Sequence, residues 1–150
     1  MTMAVVPEDE PVFSIRRRFD ADAARLFRAF VEPARLAHWF VVEGYRTPAD
    51  RMKVTARPGG RVDAVMIADA DGSEIPFGFR YAELEAPRRV VLAFDEEQEV
   101  VTVTLNERDD GGTDLSYTLA APATEEPDLA RRGAEDMLDR IAAAVDRGAI

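Results

Sequence analysis

Apolar and polar residues alternate along much of the chain between residues 52 and 120, which is the pattern of strands that bury one face. The clearest case is Thr113–Ala120, where Leu115, Tyr117 and Leu119 alternate with polar residues. Short runs rich in Gly, Pro and Asp separate the alternating segments and favour tight turns. The pattern predicts six strands joined as an antiparallel meander: Met52–Ala56, Arg61–Asp69, Ile75–Leu84, Val90–Phe94, Val100–Asn106 and Thr113–Ala120.

A further strand and two helices are predicted before the meander. Val12–Phe19 alternates in part, and the segment "DADAARLFRAFVE" then changes to helical spacing, with Asp20 or Asp22 as its N-cap. Pro33 suits the first turn of a second, shorter helix that carries Trp39. We expect residues 1–11 to be a flexible tail and residues 12–150 to form a single domain.

The last segment predicts a helix of about 20 residues that covers the apolar face of the sheet. Its apolar stripe comprises Leu129, Gly133, Met137, Leu138, Ile141, Ala144 and Val145. Several of the surrounding residues are alanine, so the helix is slim. A slim helix on a twisted sheet of aromatic residues predicts an apolar cavity between the two layers.

Composition excludes several classes of function. The chain of 150 residues has no cysteine, which excludes disulfides, thiolate catalysis and zinc–thiolate sites. The formal net charge of −10 disfavours binding to nucleic acid. No apolar run is long enough for a membrane helix and no secretory signal is evident, so we expect a cytoplasmic protein without membrane insertion. We also predict no cofactor, and no metal site, because the single histidine and the scattered carboxylates have no metal-ligand spacing.

The order of elements, β-α-α-β6-α, resembles the helix-grip fold of the START-like (SRPBCC, birch-pollen-allergen-like) superfamily. The segments "RRFDADAARLFRAFVEPARLAHWF", "RPGGRVDAVM", "FRYAELEAPRRVVLAF", "VTVTLNERDDGGTDLSY" and "GAEDMLDRIAAAV" resemble bacterial proteins related to the activator of the heat-shock-protein-90 ATPase. The resemblance implies an α+β fold, in which a curved seven-stranded antiparallel sheet wraps around a long C-terminal helix. Many relatives carry tryptophan after the glycine of that helix, where this chain has Ala134, and the smaller residue is expected to widen the cavity or shift its mouth.

Inward-facing positions supply the predicted cavity lining. These are Phe13, Trp39, Met66, Phe77, Phe79, Tyr81, Phe94, Val103, Tyr117, Met137 and Ile141. Alternation also turns Arg17 and Glu83 towards the apolar face. Because an unpaired buried charge is costly, these two residues either reach water at strand ends or act as polar groups of the cavity.

His38 lies between Leu36 and Trp39 on the second helix. It is either a general base at the cavity mouth or a partly exposed helix residue beside a core tryptophan. No partner that would position it as a base is visible nearby in the sequence, which favours the second interpretation. No catalytic residue is assigned.

Three functions remain open. The leading hypothesis is a non-catalytic module that binds a small hydrophobic molecule in the cavity, as a monomer or homodimer. The second is an enzyme resembling polyketide cyclases, aromatases or hydrolases, which requires at least two of His38, Arg17, Glu83 and a tyrosine to converge. The third, implied by the resemblance alone, is a co-chaperone-like domain that binds a protein partner and stimulates a chaperone ATPase.

Overall fold

The computed structural model describes residues 11–94, 99–121 and 127–150, and most of the predicted tail lies outside these ranges. The chain begins with β1 (Pro11–Phe19), α1 (Ala23–Arg28) and α2 (Pro33–Trp39). Asp22 caps α1, because its carboxylate accepts a hydrogen bond from the backbone N–H of Arg25 at 2.7 Å. The remaining elements are β2 (Tyr45–Arg46), a short 3-10 helix (Ala49–Arg51), β3 (Lys53–Val54), β4 (Arg61–Ala68), β5 (Glu74–Glu85), β6 (Arg89–Phe94), β7 (Glu99–Glu107), β8 (Thr113–Ala120) and α3 (Pro127–Asp146).

The strands form one curved antiparallel sheet, as the helix-grip prediction requires. Its order is β1-β8-β7-β6-β5-β4-β2, and β3 also pairs with β4. The sheet has eight strands and not seven, because the two-residue strand β2 pairs with the end of β4. A strand this short contains no alternation by which the sequence could indicate it. The predicted strand Met52–Ala56 is reduced to the two residues of β3.

A β-bulge divides β5 and reverses its alternation. Tyr81 is opposite Leu92, but Glu83 is opposite Val91, so β5 contains one extra residue between the two pairs. Tyr81 is fully buried before the bulge, whereas Glu83 is exposed and Leu84 packs against the core after it. The inward position predicted for Glu83 is therefore wrong.

The helix α3 packs its buried face against the sheet, and the buried residues of both layers belong to one hydrophobic cluster. Its buried residues are Ala134, Leu138, Ile141, Ala144 and Val145. The predicted stripe also contained Leu129 and Gly133, and both are exposed. The buried face therefore begins at Ala134, five residues after the predicted start at Leu129. None of the helices in the described ranges is long and apolar enough to cross a membrane.

Candidate ligand cavity

A cavity of about 370 Å³ lies between the N-terminal half of α3, the segment after α2 and the sheet. Its apolar lining comprises Phe13, Phe40, Val41, Val42, Phe94, Val101, Leu119, Ala130, Gly133, Ala134 and Met137. Polar groups come from Glu43, Glu99, Tyr117, Asp136 and Arg140. A volume of this size falls within the range of sites for small organic molecules, roughly 300–1,000 Å³.

Small residues on α3 leave space on its side of the cavity. Gly133 and Ala134 both line the space, and Ala134 is buried. Apart from its chain neighbours and the backbone of its own helix, a Cβ atom placed on Gly133 would have no atom within 4 Å. The glycine is therefore not required by close packing, and the volume beside it is open.

Aromatic rings form the wall opposite these small residues. The ring of Phe40 lies 6.5 Å from that of Phe94, and both line the cavity. Trp39 lies behind Phe40, with 5.5 Å between the ring centroids, and its indole N–H donates a hydrogen bond to the carbonyl oxygen of Ala29 at 2.7 Å. Trp39 is thus a core residue that supports the wall, whereas Phe40 is part of the wall.

Tyr117 is the most deeply buried polar residue of the lining. It is 7% exposed, and its ring stacks on that of Phe13 with 6.3 Å between centroids. Among the described residues, its hydroxyl has no hydrogen-bond partner. Burial, and secondarily the negative charge of Glu99, raise the pKa of Tyr117, so the hydroxyl stays neutral.

Tyr81, which occupies an inward position like that of Tyr117, has a different role. Its hydroxyl donates a hydrogen bond to the carbonyl oxygen of Phe30 at 2.5 Å, and the residue does not line the cavity. Burial raises its pKa as well. This tyrosine therefore holds the sheet to the segment between α1 and α2.

Four of the predicted lining residues lie on the cavity, namely Phe13, Phe94, Tyr117 and Met137. Another five are buried in the core outside the lining, namely Trp39, Phe79, Tyr81, Val103 and Ile141. Phe77 is half-buried, and its ring contacts that of Phe40 at 4.6 Å. Met66 is half-buried opposite Ile75, outside both the core cluster and the lining, because burial no longer alternates in this part of β4.

The two charged residues predicted at inward positions are paired outside the cavity. The Arg17 guanidinium donates to the Asp139 carboxylate of α3 at 2.5 Å, with the arginine side chain 24% exposed. Glu83 pairs with Arg89 at 3.0 Å on the exposed side of the bulge. Neither residue lines the cavity, so of the two alternatives their positions do not support a role as polar groups of the cavity.

His38 also lies outside the cavity lining. Its Nδ1 lies 3.1 Å from the Nη2 atom of Arg147, just beyond the end of α3. Burial, followed by the positive charge of Arg147, lowers the pKa of His38. His38, Arg17 and Glu83 thus have three different partners, and the convergence that the enzymatic hypothesis requires is not present among them.

Sequence reasoning missed the segment after α2 and the polar face of α3. The Arg140 guanidinium donates to the carbonyl oxygen of Val41 at 3.0 Å, which ties this segment to the helix at the cavity. Residues 133, 136, 137 and 140 follow helical spacing, so one face of α3 contributes all of them. The helical spacing of these residues could be read from the sequence. The position of the segment after α2 against this face of the helix could not.

Comparisons with known proteins agree with this architecture. A family model described as "Activator of Hsp90 ATPase homolog 1-like protein" matches residues 20–146. A protein from Chromobacterium violaceum is 30% identical, and the match covers 89% of this chain and 95% of that one with a TM-score of 0.73. An AHSA1-like protein from Aeromonas hydrophila is 21% identical, with 92% and 96% of the two chains covered and a TM-score of 0.77.

A protein from Rhodobacter sphaeroides is also 21% identical, with 89% and 91% of the two chains covered and a TM-score of 0.74. At this identity the likeness shows the fold alone. None of the curated proteins matches the sequence. Because the family model spans most of the chain, the protein belongs to the activator of Hsp90 ATPase homologue 1-like family.

Proposed function

We propose that residues 12–150 form one domain that binds a small, largely apolar molecule in the cavity between α3 and the sheet. The observation that carries the proposal is the combination of open volume, aromatic walls and a deeply buried tyrosine of the lining whose hydroxyl forms no hydrogen bond with another described residue. Among the described residues, the only fully enclosed polar side-chain atom without a partner is Nε of Arg35, so the Tyr117 hydroxyl keeps some accessible surface. A ligand group in the cavity that bonds to this hydroxyl would gain a hydrogen bond.

The helix sequence supports the same proposal. Gly133 lies inside α3, where glycine is less favourable than alanine by roughly 1 kcal/mol, and no packing contact requires it. The presence of glycine at position 133 is explained if the absence of a side chain there leaves room for a bound molecule.

A thermal-shift screen against lipophilic amines, acids, sterols, flavonoids and polyketide-like aromatics tests the proposal. A ligand at 100 times its dissociation constant stabilises the folded state by about 2.7 kcal/mol. For a chain of this size the melting temperature then rises by roughly 5–10 °C. Because the only tryptophan, Trp39, contacts a wall residue of the cavity, its fluorescence gives a second readout of binding.

Two variants of α3 show whether a hit occupies the cavity. Gly133→Leu fills the open volume beside the helix and is expected to abolish the shift. The control, Ala143→Leu, adds a similar apolar side chain at an exposed position of the same helix outside the lining, and it is expected to retain the shift. If no compound stabilises the protein, or if both variants respond alike, the proposal is wrong.

A further inference from the structure

The charges around the cavity are of predominantly one sign. Glu43, Glu99 and Asp136 contribute three carboxylates to its lining, and Arg140 is the only basic residue among the described lining residues. The Arg140 guanidinium is already used, in part, as a hydrogen-bond donor to the carbonyl of Val41. Neither Glu43 nor Asp136 forms an ion pair with another described residue. A negatively charged ligand group is therefore repelled on entry, and a positively charged one is attracted.

The aromatic wall favours a cation for a separate reason. The faces of aromatic rings are electron-rich and attract ammonium and guanidinium groups. The ring of Phe13 already has such a neighbour, since the guanidinium carbon of Arg131 lies 6.0 Å from its centroid. Phe40 and Phe94 present two further rings to the cavity.

Tyr117 supplies the third observation, and it is independent of the surface charges. Its side chain is more than nine-tenths buried, lines the cavity and has no hydrogen-bond partner among the described residues. The hydroxyl oxygen accepts hydrogen bonds through its lone pairs, and an ammonium group carries three donors and no acceptor. The carboxylates and this hydroxyl all line the cavity, and all of them can accept hydrogen bonds from an ammonium group.

We propose that the cavity selects cationic amphiphiles, in which an apolar body ends in a protonated amine, over their anionic counterparts. The body lies between the phenylalanine rings and the Gly133–Ala134 surface of α3, and the ammonium contacts the carboxylates and the Tyr117 hydroxyl. This selection rests on the proposed binding function and specifies the chemical class of the ligand.

Three probes with the same ring system test the charge preference: naphthylethylamine, naphthylethanol and naphthylacetate. Calorimetric titration at low salt is expected to rank them amine, alcohol, acetate in order of decreasing affinity. Exposed ion pairs and cation–π contacts together predict a ratio of roughly tenfold between amine and acetate. High salt is expected to lower the amine-to-acetate affinity ratio, because it screens exposed charges.

Variants that remove carboxylates of the lining test whether these groups cause the preference for the amine over the acetate. The double variant Glu43→Gln, Asp136→Asn is expected to bring the amine-to-acetate ratio close to one. The control, Asp109→Asn with Asp146→Asn, also removes two exposed negative charges, but from positions outside the lining, and it keeps the ratio. Tyr117→Phe is expected to weaken binding of the amine more than that of the alcohol.

The outcomes distinguish the two proposals. If the alcohol binds and the acetate equals or exceeds the amine, the cavity is a binding site and the charge selection is wrong. The same conclusion follows if both double variants change the ratio equally. If none of the three probes binds and the wider screen is also flat, the binding function fails and the charge selection fails with it.

Discussion

The hydroxyl oxygen of Tyr81 lies 2.5 Å from the carbonyl oxygen of Phe30, so that one buried hydrogen bond joins the middle of the sheet to the segment between α1 and α2. Removing the hydroxyl with Tyr81→Phe leaves that carbonyl without its partner in a site that water does not reach. We expect the free energy of unfolding to fall by about 1–3 kcal/mol, measured by urea denaturation.

Tyr117→Phe is the matched comparison, because both tyrosines are buried and occupy inward positions on the sheet. In the absence of ligand this change breaks no hydrogen bond between described residues. We expect a change in unfolding free energy within about 0.5 kcal/mol, or a gain in stability. Equal losses in the two variants would show that the Tyr117 hydroxyl is paired in solution.

Gly133→Ala is expected to stabilise the protein without ligand by roughly 0.5–1 kcal/mol, because alanine favours the helix and the added Cβ contacts nothing. Gly59→Ala is the control, since Gly59 has a φ of +85° that disfavours any side chain, and it should lose about 1–2 kcal/mol. Thermal or urea unfolding of both variants measures the difference. A loss of stability in Gly133→Ala would contradict the open volume beside α3.

The single histidine gives a direct test of pH dependence. Burial and Arg147 lower the pKa of His38 below its ordinary value of 6.5, so the folded protein binds a proton there less readily than the unfolded chain. Its contribution to stability is complete above about pH 6.5 and is lost as the pH falls from the unfolded pKa through the folded one.

Nuclear magnetic resonance titration of the one imidazole is expected to give a pKa below that of a model peptide. The difference in unfolding free energy between the wild type and His38→Gln isolates this group from the carboxylates, and that difference should change only below about pH 6.5. A pKa of His38 at or above that of the peptide would contradict the contact with Arg147.

Arg25 holds the end of α3 against α1. Its guanidinium donates to the carbonyl oxygens of Val145 at 3.0 Å and of Ile150 at 2.5 Å. Arg25→Met keeps most of the apolar stem but removes both hydrogen bonds, and we expect a loss of about 1–3 kcal/mol. Arg28→Met, on the exposed side of the same helix, should change stability by less than about 0.5 kcal/mol in the same urea experiment.

The sequence predicted most of the fold because its elements are long and periodic. Thr113–Ala120 and the 20-residue α3 have enough repeats to identify the element and most of its buried face, although the predicted stripe of α3 included the exposed Leu129 and Gly133. The strand β2 could not be predicted, since two residues contain no repeat. The partner of Arg17 could not be predicted either, because Asp139 lies 122 residues away and only the packing of α3 on β1 brings them together.

The site was less predictable than the fold. Tyr81 and Tyr117 have equivalent patterns in the sequence, and only the tertiary position of the Phe30 carbonyl distinguishes them. The acidic residues of the lining come from the loop after α2, from β7 and from α3. Alternation and helical spacing describe each segment by itself and do not show that the three segments meet. Their shared location depends on how the helix lies on the sheet.

The bulge in β5 allows Tyr81 and Leu84, which are three positions apart, to lie on the same inner face of the sheet. Substitutions at Ala82, which is half-buried, leave the pairings of Tyr81 with Leu92 and of Glu83 with Val91 intact. Deleting Ala82 would remove the extra residue and keep Glu83 opposite Val91 and Leu84 opposite Val90, so Glu83 would stay on the outer face and Leu84 on the inner one. Losing the bulge with Ala82 retained would instead place Ala82 opposite Val91, which would carry the Glu83 carboxylate to the inner face and Leu84 out to solvent.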